Sequence, residues 1–279
     1  MSKVCSAADA VSAIRSDQTV ASVGVIGWIT PDALLKSLGD RYDGEQGPSD
    51  LTFYFPCGTG DAMEVGGMDR VAKKGLMKRI VAGSYVNPVN PKTGERPQLM
   101  QLIRENAIEA YSWPIGASMQ WLREVARKSP GYLTEIGLGT YIDPVNGGGK
   151  FTECATEDLV EKVNFKGKDF LFYPTWNIDH CFIRASSSDE FGNLSFEDES
   201  LISSALALAL ATKACGGTVI AQVRNRVARF SRAAGQGLHL LVEVGDDPGR
   251  IGDSKRFDVR LDQRARVELL VAQALIELA

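Results

Sequence analysis

The sequence has few of the side chains that build metal centres. It has only two histidines in 279 residues, His180 and His239, and five cysteines, none of them spaced as a Cys-x-x-Cys pair. Because a structural zinc site needs four such ligands in a compact arrangement, we expect no metal site. The odd number of scattered cysteines suits a reducing compartment, so we expect the protein in the cytoplasm.

Long apolar runs and an excess of basic charge are also missing. No apolar run approaches the ~20 residues that cross a bilayer, and the first residues lack a signal-peptide core. The net charge is -4, whereas a protein that binds phosphate backbones needs a basic surface. The sequence therefore predicts neither a membrane nor a nucleic acid as partner.

Strand and helix patterns, in contrast, alternate along most of the chain. They are clearest where the strand-like Ile178–Ala185 precedes the apolar helical run Ile202–Ala214, which stops at Gly216-Gly217 before the apolar strand Thr218–Val223. A strand, a helix and a strand in this order form a parallel pair with a helical crossover. We therefore predict an α/β fold with an open, mostly parallel sheet flanked by helices.

The same patterns predict the other elements. The predicted strands are Thr19–Val23, Leu51–Phe55, Met77–Ala82, Ile108–Tyr111, Asp169–Tyr173 and Leu238–Val244, and the predicted helices are Asp9–Ile14, Pro97–Asn106, Met119–Lys128, Glu157–Val163 and Leu261–Leu278, with one more beginning at Thr30-Pro31.

Three glycine-containing segments directly follow predicted strands. In open parallel sheets the ligand crevice lies at the carboxyl ends of the strands, where backbone N–H groups can hold an anion. For the first segment, a tight crossover turn with no ligand is the alternative. The predicted ligand-binding residues are Gly24, Gly27, Trp28, Cys57, Gly58, Gly60, Pro114, Ile115 and Gly116.

Cys57 has two interpretations. A cysteine after a strand can be a nucleophile when a histidine activates it, but neither histidine lies near it in sequence. A small buried packing residue is the commoner role for a free cysteine. We therefore predict that Cys57 packs beside the ligand and does not attack it.

Several motifs resemble a known family. The segment Phe182–Ala185, followed by Asp189, Gly192-Asn193 and Phe196–Glu199, is similar to the first half of family I coenzyme A (CoA) transferases, in the acetate/propionate CoA-transferase branch. The segments Pro56–Asp61, Gly137–Pro144 and Gly147–Lys150 resemble the same branch. The resemblance implies a CoA-transferase-like fold, a CoA thioester as substrate with no permanently bound cofactor, and an acyl-CoA and a small carboxylic acid as ligands.

The chain departs from the resembled family in two ways. Enzymes of that family attack the acyl-CoA with a glutamate carried in a Glu-x-Gly motif of their second half. Glu64 and Glu243 each precede such a glycine here, and Glu243, which ends an apolar strand, is the catalytic candidate. The family also has Pro-Gln-Gly where this chain has Pro114-Ile115-Gly116. It thereby lacks an amide donor of a kind typically worth ~3 kcal/mol in an acyl-transfer site.

Together with the resemblance, these features imply that the chain is one half of an enzyme. Residues 1–230 are expected to form a CoA-transferase α-type domain, and residues 231–279 the start of an incomplete second domain. The expected function is to move CoA between an acyl-CoA and a short-chain carboxylate. The chain alone should be inactive, with the nucleophilic glutamate on a β-type partner chain or a missing half, and it should form an oligomer. The alternatives are a CoA-ester hydrolase, a C–C cleaving relative, or a non-catalytic remnant that binds CoA or a partner.

Overall fold

The computed structural model describes residues 3–44, 47–61, 63–85 and 89–227 and the backbone of residues 240–244. The strands are β1 (Val4–Cys5), β2 (Thr19–Ser22), β3 (Leu51–Phe55), β4 (Met77–Ala82), β5 (Glu109–Ser112), β6 (Gly131–Thr134), β7 (Glu161–Phe165), β8 (Lys168–Pro174), β9 (His180–Ser188), β10 (Leu194–Ser195), β11 (Thr218–Arg226) and β12 (Leu240–Val244), and the α-helices are α1 (Ala7–Val11), α2 (Asp32–Gly44), α3 (Gln98–Arg104), α4 (Ile115–Ala126) and α5 (Ala205–Ala214).

A parallel sheet forms the centre of the fold. Its strands follow the order β1-β12-β11-β9-β2-β3-β4-β5, and each neighbouring pair along this path is parallel. The short β10 pairs antiparallel with β9. The predicted α/β fold, an open and mostly parallel sheet flanked by helices, is confirmed. Since the strands run in one direction, the loops after β2, β3, β4 and β5 emerge along the same edge.

Both faces of the sheet are covered by apolar side chains, as a parallel sheet requires. Alternate residues of each strand point to opposite faces, so Phe53 and Tyr54 on β3 join different hydrophobic clusters. The cluster around Phe53 includes residues of α1, α2 and α3, and the cluster around Tyr54 includes residues of α4 and α5.

A separate antiparallel sheet of three strands, in the order β6-β8-β7, follows α4 in the chain. The predicted helix Glu157–Val163 is wrong, because Glu161–Phe165 is strand β7. The turn after it explains the difference. Lys166 and Gly167 both have positive φ, 53° and 81°, which is the backbone of a two-residue hairpin turn.

Other boundaries agree with the sequence or shift by a few residues. Strands β3 and β4 have the predicted ends. Helix α4 begins at Ile115, four residues before its predicted start at Met119. Helix α5 begins at Ala205 because Ser203 takes a left-handed backbone, with φ 49°. The predicted helix Leu261–Leu278 lies outside the described residues.

All described residues belong to one compact unit, Met1–Asp247, and the domain boundary near residue 230 stays a prediction. Within the described ranges, no helix has the length and apolar character needed to cross a bilayer.

Candidate functional site

Backbone hydrogen bonds join the loops that follow β2 and β3. Ile26 donates its N–H to the Gly58 carbonyl (2.9 Å), and its own carbonyl accepts from the N–H of Gly60 (2.7 Å). Gly24 makes this approach possible, since its φ is 147° and an added Cβ would lie 2.1 Å from Thr59 Cγ2. The structure therefore brings two of the three predicted segments into direct contact.

The first loop holds two apolar side chains out towards solvent. Ile26 is 45% exposed and Trp28 is 55% exposed. Ile26 and Ile29 have φ of 56° and 47°, values that are unfavourable for β-branched residues. Such strain persists where the surrounding contacts enforce it, and it is frequent at ligand sites. Gly27, between them, lies where an added Cβ would be 3.2 Å from Asp61 Oδ2.

The third predicted segment packs against the loop after β4. Helix α4 begins at Ile115, and an added Cβ at Gly83 would lie 2.8 Å from Ile115 Cγ1 and 2.2 Å from the Pro56 carbonyl oxygen. An added Cβ at Gly58 would lie 2.4 Å from the Ser84 carbonyl oxygen. The loops after β3, β4 and β5 are thus in contact along one edge. The sequence prediction did not include Ser84, which lies in a loop rich in glycine, proline and asparagine after β4.

A long loop, residues 135–149, folds back over the end of β5. Ser112 donates its N–H to the Gly149 carbonyl (2.8 Å), and its hydroxyl lies 3.1 Å from the hydroxyl of Tyr141. Within the loop, the N–H of Gly139 donates to Asp143 Oδ2 (3.0 Å), and this bond helps to lower the pKa of the Asp143 carboxyl. These bonds attach the 135–149 loop to the end of β5 and fix the turn between Gly139 and Asp143, next to the predicted site.

Cys57 lies half-buried beside these loops, and burial raises the pKa of its thiol. A raised pKa keeps the thiol protonated at neutral pH, and the protonated form is a poor nucleophile. His180 is the first residue of β9, at the opposite edge of the sheet, where its Nε2 lies 3.0 Å from Gln18 Oε1. The geometry favours the packing role for Cys57.

Glu243 is not brought to the site. It lies on β12, in register with Gln222 of β11 and Cys5 of β1. In the strand order, β12 is three places from β2 and six from β5, which corresponds to about 14 Å and about 29 Å at the usual strand spacing. Glu64 is nearer, in an exposed turn after β3 where its N–H donates to Asp61 Oδ1 (3.0 Å).

The Phe182–Ala185 motif on β9 connects to the loop after β2. Arg184 lies 3.4 Å from Glu199 Oε1 and donates to the Thr30 carbonyl (3.5 Å). The Glu199 side chain is only 5% exposed. This buried pair connects β9 and the segment after β10 to the entry of α2, so these residues position the loop that carries Trp28.

The described residues contain no group of three or more histidine, cysteine, aspartate or glutamate side chains placed to hold a metal ion.

An open parallel sheet with glycine-rich loops packed together at the carboxyl ends of its strands defines an α/β ligand-binding domain. The chain belongs to the coenzyme A transferase family, since the family described as "Coenzyme A transferase" matches residues 4–236. This match confirms the family resemblance found in the motifs.

The relatives are similar over most of this chain but are longer. Acetate CoA-transferase YdiF of Escherichia coli (strain K12) is 36% identical over 225 residues, which are 80% of this chain and 41% of that protein. Caffeate CoA-transferase of Acetobacterium woodii is 35% identical over 225 residues, with the same coverage. The structure of the acyl-CoA transferase YdiF from E. coli O157:H7, in a thioester complex with CoA, matches with a TM-score of 0.81 and 33% identity, covering 94% of this chain and 52% of that one. The chain thus spans about two fifths of the length of the curated relatives it matches.

Proposed function

We propose that this chain is the α-type half of a CoA-transferase that moves CoA between an acyl-CoA and a short-chain carboxylate. The observation that carries the proposal is the direct packing of the loops after β2, β3, β4 and β5 along one edge of the sheet. Membership of the family and the sequence identity to two CoA-transferases support it.

In this proposal the chain positions the thioester. The Gly24–Trp28 and Cys57–Gly60 loops offer backbone groups and apolar side chains to the CoA arm. The thioester oxygen lies at the first turn of α4, where Pro114 provides no side-chain cap and the free N–H groups form the positive end of the helix dipole. The alkyl side chain of Ile115 cannot donate a hydrogen bond, so this proposal assigns the thioester oxygen to the backbone N–H groups of that turn.

The nucleophile is expected elsewhere. In the mechanism of the resembled family, a glutamate carboxylate attacks the acyl-CoA carbonyl and expels the CoA thiolate, which leaves a mixed anhydride on the enzyme. The thiolate then attacks the glutamyl carbonyl of that anhydride, so the acyl group leaves as its carboxylate and the enzyme holds CoA as a glutamyl thioester. The incoming acid then takes the CoA. We propose that the glutamate comes from a β-type partner chain or a second half, because Glu243 lies on β12, far along the sheet from β5. Oligomer formation and a cytoplasmic location are part of the same proposal.

A hydrolase or C–C cleaving relative is the second candidate, and Ile115 is the observation that favours it. A site without the amide of the resembled Pro-Gln-Gly sequence has lost one donor for the oxyanion of acyl exchange. A remnant that only binds CoA or a partner would keep the edge loops and show no turnover with any partner.

The test begins with the purified chain, acetyl-CoA and short-chain acids, first alone and then with the product of a neighbouring gene that carries a Glu-x-Gly motif. We expect CoA binding without turnover for the chain alone, and CoA transfer with a hydroxylamine-sensitive enzyme thioester when the partner is present. Release of free CoA and acid without transfer would favour the hydrolase.

The variants Glu243→Ala and Glu64→Ala distinguish the possible nucleophiles. Turnover by the chain alone that Glu243→Ala abolishes would contradict the half-enzyme proposal. Turnover that survives both substitutions would exclude a glutamyl thioester on either residue.

A further inference from the structure

The surface around the start of α4 points to a particular class of acyl group. We propose that Tyr141, Phe151, Ile115 and Ile136 form an acyl subsite for uncharged, flat acyl groups, such as aromatic or conjugated ones. This inference rests on the proposed function, which places the thioester carbonyl at the first turn of α4. It adds the residues that select the acyl group and the class of acyl group that they bind.

Three aromatic rings stand in a row beside the end of β5. The ring of Phe151 lies between Tyr85, at 5.2 Å between centroids, and Tyr141, at 6.0 Å. Tyr141 is 54% exposed and Phe151 is 45% exposed, so both present ring surface to solvent. Flat π-systems stack on such surfaces in offset or tilted arrangements. With centroid separations of 5.2 and 6.0 Å, this group of rings offers more surface than an acetyl group can cover.

The row is held in place by hydrogen bonds outside the rings. The hydroxyl of Tyr141 lies 3.1 Å from the hydroxyl of Ser112, which is 3% exposed. The hydroxyl of Tyr85 donates to the Tyr111 carbonyl (2.6 Å). Phe151 donates its N–H to the Ala110 carbonyl (2.8 Å). Each of the three residues is thus attached to β5 or its end. Because the rings are already ordered before a ligand binds, binding would cost little conformational entropy.

Two isoleucines near the start of α4 complete the proposed subsite. Ile115 and Ile136 are each 41% exposed, and an added Cβ at Gly116 would lie 3.9 Å from Ile136 Cδ1. The Ile136 carbonyl accepts from the hydroxyl of Tyr173 (2.8 Å), which fixes that end of the 135–149 loop. Gly116 leaves the space between the isoleucines unfilled, next to the proposed position of the carbonyl.

Neighbouring cations are already paired with carboxylates. Lys150 pairs with Asp158, Lys162 with Asp143, and Lys168 with Glu135. The four residues of the proposed subsite carry no charge, and Lys150, which precedes Phe151, is already paired with Asp158. The free carboxylate of a dicarboxylic acyl group would therefore leave water without an unpaired cation among these described residues, which is costly. The subsite should reject dicarboxylic acyl groups and accept uncharged ones.

The test is a binding titration of the full chain with CoA, acetyl-CoA, benzoyl-CoA and succinyl-CoA by calorimetry. We expect benzoyl-CoA to bind about three- to tenfold more tightly than acetyl-CoA, the range that one aromatic contact provides, and succinyl-CoA to bind more weakly than both. Tyr141→Ala and Phe151→Ala should each remove the benzoyl preference while the affinity for CoA itself stays unchanged.

Two further variants keep the test interpretable. Phe165→Ala removes a phenylalanine that is also exposed (53%) but lies at the turn of the small sheet, and it should keep the preference. Tyr141→Phe keeps the ring and loses the bond to Ser112, so it should retain part of the preference even if Tyr141→Ala destabilises the loop.

The outcomes separate the two proposals. Binding of CoA with equal affinity for the three thioesters, or a benzoyl preference that survives both alanine variants, would overturn the acyl subsite and leave the proposed function standing. A chain that binds none of the four compounds would contradict the proposed function itself, and the subsite would fall with it.

Discussion

Tryptophan is used in two opposite ways in this molecule. Trp121 on α4 is fully buried, its ring lies 4.4 Å from Trp176 and 4.8 Å from Tyr54 between centroids, and its indole N–H donates to the Pro174 carbonyl (2.8 Å). Trp28, in the loop after β2, is 55% exposed. One ring is surrounded by other aromatic residues, and the other is presented to solvent at the proposed site.

The two tryptophans have different expected roles, because Trp121 contributes to stability and Trp28 to the proposed ligand binding. Burial of a large aromatic ring contributes several kcal/mol to folding, whereas an exposed ring contributes little. Ile26 and Ile29, which flank Trp28, are also held with positive φ, at an energetic cost of roughly 1–3 kcal/mol each. Folding alone explains a loop with unfavourable backbone angles and an exposed tryptophan poorly, and the proposed role in CoA binding would account for both features.

The largest expected effect on stability belongs to Trp121, the buried tryptophan. Trp121→Ala should lower the free energy of unfolding by about 3–5 kcal/mol, because it leaves a cavity among Tyr54, Trp113 and Trp176. Urea titration followed by circular dichroism measures the change. At low urea, the fraction that remains folded should bind CoA with unchanged affinity. A loss below ~1 kcal/mol would mean that the cluster collapses around the cavity and contributes less than its burial suggests.

The parallel sheet was predictable because its signals are local. Apolar runs such as Leu51–Phe55 and Met77–Ala82 have the length of buried strands and are bounded by turn residues. In the small antiparallel sheet, β8 was predicted as the strand Asp169–Tyr173, whereas β7 was predicted as a helix because its polar and apolar residues also suit an exposed helix. Its decisive signal is the Lys166-Gly167 turn, where Lys166 takes a positive φ that is unusual for that residue type.

The site was only partly predictable for a different reason. Segments that directly follow strands were found, because position after a strand is visible in the sequence. Tyr141 and Ile136 were not found, since they reach the end of β5 through a loop that folds back from more than twenty residues later in the chain. The position of this loop depends on contacts between residues far apart in the chain, such as the bond from Ser112 to Gly149. Local sequence patterns do not reveal such contacts.

An intermediate effect is expected where the two site loops meet. Gly24→Ala introduces a Cβ 2.1 Å from Thr59 Cγ2 at a φ of 147°, so it should cost roughly 1–3 kcal/mol of stability and weaken CoA binding as the loops separate. Gly44→Ala is the matched control, because nothing lies within 4 Å of its added Cβ; it should be neutral or slightly stabilising. Thermal unfolding and CoA titration measure both variants, and equal behaviour would show that the loops do not need to touch.

The smallest effect on stability belongs to Trp28. Trp28→Ala removes a side chain that is more than half exposed, so the free energy of unfolding should change by less than about 0.5 kcal/mol. CoA binding, in contrast, should weaken by about 1–2 kcal/mol, the size typical of a tryptophan at the centre of a binding surface. Trp28→Phe should recover part of that loss, because it keeps an aromatic face at the same place.

These two measurements together decide what Trp28 does. Calorimetric titration with CoA gives the affinity, and urea unfolding of the same preparations gives the stability. If Trp28→Ala destabilises the chain as much as Trp121→Ala and leaves CoA affinity unchanged, the exposed ring is a structural element and the comparison between the two tryptophans fails. If affinity falls while stability holds, the strained backbone around Ile26 and Ile29 acts to present Trp28 to the ligand, because no folding contact then accounts for its position.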